Sequence, residues 1–139
     1  MTLTDAGPLI ALLDDDDRHH HASAAAATEL PPGPLLTTWP CFSEAMFILH
    51  TRGGYRYQAE LWKLYLTGRL LLHDLTATEL VRMAQLMGRY EDTPMDLADA
   101  SLVAVAETRA IQKIFTFDHH FWIYRLADGS MLEPIPARS

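Results

Sequence analysis

The sequence predicts an α/β domain built on a mainly parallel sheet. Short apolar extended runs alternate with longer segments of helical composition along the 139 residues, the order expected when helices cross between parallel strands. That length fits one domain, 1–139, and 49% hydrophobic residues are enough to fill its core. Acids also stand directly after the first and the last strongly apolar runs, at Asp5 and Asp118. In an open parallel sheet, ligands gather just beyond the carboxyl ends of the strands.

The elements follow in order. "LTDAGPLIALL" opens with an extended piece, turns between Asp5 and Pro8, and continues as an apolar helix. In "DDDDRHHHASAAAATEL" the alanine-rich half favours helix, and the acids lie toward the end a helix dipole prefers. "PPGP" at 31–34 is a loop and "PLLTT" a short buried strand. "CFSEAMFILHTRG" is a helix closed by Arg52-Gly53-Gly54, and "YRYQAELWKLYLTG" an amphipathic helix ending at Gly68. "RLLLHDL" is a strand, and "TATELVRMAQLMGRY" a helix with capping-box spacing between Thr76 and Glu79. "TPMDLADASLVAVAE" reads as a helix with Thr93 as N-cap, Pro94 at its first position and Asp96 at its third. "KIFTFD" is the last strongly apolar strand, and "MLEPI" a final extended piece.

The net charge of −7 argues against holding nucleic acid on a broad basic surface, while leaving the carboxylate excess that a cation site needs. A single cysteine, Cys41, precludes an intrachain disulfide and makes a reducing cytoplasm the expected compartment. The first residues lack a basic segment before their short apolar run, so neither a signal peptide nor a membrane span is expected.

Four acids bear on function. Asp5 and Asp118 are each explicable as turn residues where a strand stops. Glu44, among Phe42, Ala45, Met46, Phe47 and Ile48, is either a helix-surface residue or a carboxylate needing a partner. Asp96 is accounted for by the helix start. Asp99, three residues on, lies beyond the expected cap positions, where aspartate is a poor helix former. If Asp5, Glu44, Asp99 and Asp118 converge, their repulsion calls for a cation. All-oxygen ligands favour Mg²⁺ or Mn²⁺, and no Cys/His spacing suggests zinc.

In "LTDAGPLIALL", "CFSEAMFIL", "MDLADASLVAVAE" and "IFTFDHHF" the chain resembles the four acidic blocks of the PIN domain, more narrowly the VapC-type ribonuclease toxins of toxin–antitoxin systems. The resemblance spans nearly the whole chain. It implies a Rossmann-like three-layer α/β/α fold, often dimeric, with an Mg²⁺-dependent endoribonuclease site and an antitoxin protein as partner. Asp5, Glu44, Asp99 and Asp118 match the family's acids in order, and Thr116 matches a hydroxyl residue that supports the site. The roles expected are Asp5 and Asp99 as metal ligands, Glu44 orienting or deprotonating the attacking water, and Asp118 ligating a second ion or a water of the first. Asp96 would at most lend charge from behind.

Two other classes fit the acids: a PIN-like fold that binds a partner without cutting, and an Mg²⁺-dependent phosphohydrolase or phosphotransfer domain. Against the latter, no Asp-x-Asp motif lies near Asp5, and the fourth acid lacks a nearby lysine of the kind receiver-like domains use. His19, His20 and His21 read as a solvated helix start, and His119 and His120 as a surface turn.

Overall fold

The computed structural model describes residues 1–137. Among these, five strands form one sheet: β1 (Thr2–Thr4), β2 (Leu35–Thr38), β3 (Leu70–His73), β4 (Lys113–Phe115) and β5 (Glu133–Ile135). Their order is β3-β2-β1-β4-β5 and every neighbouring pair is parallel. The first strand in sequence is thus central. Leu3 pairs with Leu36 on one side and with Ile114 on the other.

Six α-helices connect the strands: α1 (Ala6–Leu13), α2 (His20–Glu29), α3 (Trp39–Gly53), α4 (Tyr55–Leu66), α5 (Ala77–Arg89) and α6 (Leu97–Arg109). A short 3₁₀ helix follows at His119–Trp122, where the sequence suggested only a turn. Both faces of the sheet are covered, which explains why the strands are apolar runs rather than alternating ones. Leu36 and Leu71 pack with Met83, Leu102 and Val103 of α5 and α6. Their neighbours Leu35, Leu70 and Leu72 pack with Leu9, Phe42 and Leu61 of α1, α3 and α4. This division by alternate residues is the strand period of two made visible, and it produces the three-layer α/β/α fold.

α6 is the more buried of the two helices on its face of the sheet. From Ala98 to Ala106 every residue is buried, and its alanines let the helix sit close to the sheet. Cys41 is fully buried in the same core, and burial pushes its thiol up, as befits an inert packing residue.

The start of α6 differs from the expectation. Thr93 and Pro94 belong to a turn that closes α5, with the Thr93 amide donating to the Tyr90 carbonyl at 3.0 Å. The N-cap is Asp96. Its carboxylate accepts from the Asp99 amide at 2.8 Å, and the Asp99 carboxylate accepts from the Asp96 amide at 3.3 Å. This reciprocal pair satisfies two helix-end donors, and Met95, just before it, turns into the core. Asp99 therefore does have a local role, as the third residue of a capping box.

Candidate active site

The carboxyl ends of β1 and β4 and the N-terminus of α6 meet at one place. Asp5 directly follows β1, and its amide donates to the Phe115 carbonyl of β4 at 3.0 Å. Its carboxylate caps α1 through the Ala6 amide at 2.8 Å, which fixes Oδ1. Oδ2 accepts from the Thr116 hydroxyl at 3.1 Å. The same Thr116 oxygen accepts from the Asp118 amide at 3.0 Å. One buried hydroxyl thus ties the acid after β1 to the acid after β4.

Asp118 caps the 3₁₀ helix through the His120 amide at 2.9 Å, and His120 Nδ1 lies 2.8 Å from the same Oδ1. Asp99 enters from α6, only 5% exposed. The Tyr124 hydroxyl donates to its Oδ2 at 3.1 Å. Nearby hydroxyls brace the elements: Thr37 donates to the Thr4 carbonyl at 2.8 Å, and Thr38 and Ser101 share a hydrogen bond of 2.6 Å between β2 and α6.

Asp5, Asp99 and Asp118 converge: one oxygen from each can be chosen so that all lie within 4.8 Å of one another. Such crowding disfavours charge. Burial pushes Asp5 up to about 6; hydrogen bonds from Ala6 and Thr116 oppose the rise, and Glu44 and Asp118 add to it. Asp99 is raised further, to about 8, first by burial and then by the carboxylates of Asp96, Asp5 and Asp118. A divalent cation would replace the protons and remove the penalty. Three carboxylates with no thiolate form a donor set suited to Mg²⁺ or Mn²⁺.

Glu44 stands apart from that trio. It is exposed on α3, in an open groove lined by Pro40, Ser43, Phe47, Asp96 and Leu97. Partial desolvation, Asp96 and Asp118 raise its carboxyl, so it borders the site electrostatically. Asp96 is exposed, its carboxylate engaged in the cap. Of the acids singled out from sequence, three meet and Glu44 lies at their edge.

Two groups of this site went unread in the sequence. Tyr124 touches Asp99 from the loop after the 3₁₀ helix, and "HFWIYR" carries no spacing signal that distinguishes it. His120, read as a surface turn, lies on Asp118 instead. A second acid group, Asp14, Asp15 and Asp16, has a different explanation. Arg52 bridges Asp14 and Asp17, so this corner is an ion-paired loop.

The PIN domain family model matches residues 2–128. No curated protein matches the chain. Among solved structures, Mycobacterium tuberculosis VapC20, described as a sarcin–ricin loop cleaving toxin, superposes with a TM-score of 0.81 at 20% identity, over 88% of this chain and 94% of that one. A toxin–antitoxin complex from Klebsiella pneumoniae gives 0.62 at 18% identity, over 85% and 87%. VapBC2 from Rickettsia felis, bound to a DNA fragment from its promoter, gives 0.64 at 10% identity, over 96% and 97%. At such identities these likenesses speak for the fold.

Proposed function

The chain belongs to the PIN domain family, and from that premise we propose that it is a divalent-metal-dependent endoribonuclease of the VapC toxin type. The observation that carries this reading is the convergence of Asp5, Asp99 and Asp118 at the carboxyl ends of β1 and β4. Mg²⁺, or Mn²⁺ in its place, would supply charge neutralisation at the scissile phosphate and a water acidic enough to serve as nucleophile.

The residues then divide the work. Asp5 and Asp99 would hold the ion, Asp99 through the Oδ1 that takes neither of its hydrogen bonds, and Asp118 would complete the set directly or through water. Thr116 keeps Asp5 and Asp118 in register. Glu44, at the solvent side, would orient or deprotonate the attacking water, and its raised carboxyl makes it the better base. RNA as substrate is supported by the described activity of the M. tuberculosis structural neighbour. The toxin–antitoxin assemblies among the neighbours support a cognate antitoxin as partner. An acidic site is suited to a partner segment carrying arginine or lysine. A homodimer is the expected assembly for this fold.

The test is cleavage of a structured RNA panel by the purified protein. Activity should vanish in EDTA, return with Mg²⁺ or Mn²⁺, and be lost in Asp99→Asn with the circular dichroism spectrum unchanged. Undiminished cleavage by Asp99→Asn overturns the site. Metal-independent absence of cleavage, with tight binding of a protein partner, would mark a non-catalytic relative. A trapped aspartyl-phosphate would instead indicate phosphotransfer chemistry.

A further inference from the structure

The hydroxyl of Tyr124 is held firmly for a residue outside any helix or strand. Tyr124 is 2% exposed. Its ring is held by Tyr90 in an edge contact at 5.1 Å between centroids, by Phe121 in another at 5.2 Å, and by the His120 ring stacked at 6.4 Å. Tyr90 is itself pinned, since its hydroxyl accepts from the Arg125 amide at 2.9 Å, the residue after Tyr124. With the ring locked, the phenol has one direction to donate, and it donates to Asp99 Oδ2.

That oxygen is already the acceptor of the Asp96 amide. Oδ2 thus carries both of Asp99's side-chain hydrogen bonds, from Tyr124 and from the helix start, while Oδ1 takes neither. A carboxylate fixed this way offers one oxygen to a cation and cannot swing to a bidentate grip. We propose that Tyr124 is a positioning residue for the metal site: it holds Asp99 as a one-oxygen ligand and so sets the affinity for the divalent ion. This rests on the metal-site reading above. Partners of ligating carboxylates typically contribute tenfold or more to metal affinity, because the ligand must otherwise be ordered when the ion binds.

The experiment measures Mn²⁺ affinity by electron paramagnetic resonance of the free ion, for the wild type, Tyr124→Phe, Asp99→Ala and Tyr65→Phe, with melting curves in EDTA alongside. Phenylalanine keeps the ring and removes only the oxygen. The expected result is binding weakened about tenfold in Tyr124→Phe, near-complete loss in Asp99→Ala, and wild-type affinity in Tyr65→Phe, an exposed tyrosine on α4. A lowered melting temperature in EDTA with Mn²⁺ affinity within twofold of wild type would show a merely structural tyrosine and overturn the proposal. A wild type that binds no Mn²⁺, or an Asp99→Ala variant that binds it normally, would overturn the metal site itself and the proposal with it. Wild-type protein labelled with 3-fluorotyrosine needs no substitution. At least one of its five tyrosine resonances should move on Mg²⁺ addition, and five unmoved resonances would refute the coupling.

Discussion

Asp99 concentrates three demands in one side chain: it caps a helix, accepts from a buried phenol and faces two other carboxylates. Without metal this arrangement costs stability wherever the unfolded chain is ionised and the native one is not. The unfolded carboxyl titrates near 3.9, and the folded values are about 6 for Asp5 and about 8 for Asp99. Below pH ~4 both states are protonated and no penalty exists. As pH rises from there through about 8, the unfolded state releases protons that the native state keeps, so metal-free stability falls, then levels off. Asp99→Asn removes the larger part of that penalty. In EDTA at pH 9 it should melt a few degrees above the wild type, and at pH 4 the two should melt together. Equal melting at pH 9 would mean that its surroundings do not disfavour the ionised Asp99 carboxylate.

At the scale of elements, α5 shows what an acid looks like when it serves structure alone. Glu79 caps the helix with Thr76, its side chain 1% exposed, and accepts from the Thr76 amide and the Thr108 hydroxyl, with His73 Nε2 at 2.8 Å. Burial would raise it, but Thr108, Thr76 and His73 outweigh burial and bring it down to about 2. Its contribution is therefore present above the unfolded value near 4.3 and is lost as pH falls toward 2. Glu79→Ala should destabilise by about 3 kcal/mol in urea unfolding while leaving cleavage per folded molecule unchanged. A loss of specific activity would place Glu79 in the function instead. The contrast bears on legibility. The strands, the helices and the Thr76–Glu79 box were readable because each rests on local period and cap chemistry. The start of α6 was misplaced because Thr93 and Asp96 both suit an N-cap, and only the burial of Met95 and the return bond from Asp99 decide between them. Asp5 and Asp118 were legible as acids after strands. Tyr124 was not, because its role depends on a ring clamp assembled from α5 and the 3₁₀ helix, which no spacing records.

For the whole molecule, the sheet brings carboxylates from distant parts of the chain to one edge under a net charge of −7. A divalent ion that binds only this assembled edge must stabilise the whole fold by mass action. Raising Mg²⁺ at pH 8 should lift the melting temperature progressively, and Asp5→Ala should abolish the lift, as read by calorimetry. An equal lift in Asp5→Ala would assign the ion to some other acidic patch, such as Asp14–Asp16. The central position of β1 has a further consequence, in time rather than space. Leu3 waits for Leu36, 33 residues later, and then for Ile114, 111 residues later, before its strand is paired on both sides. During synthesis Asp5 is made long before Asp118. The three-acid cluster therefore assembles only once β4 has been made and has paired with β1.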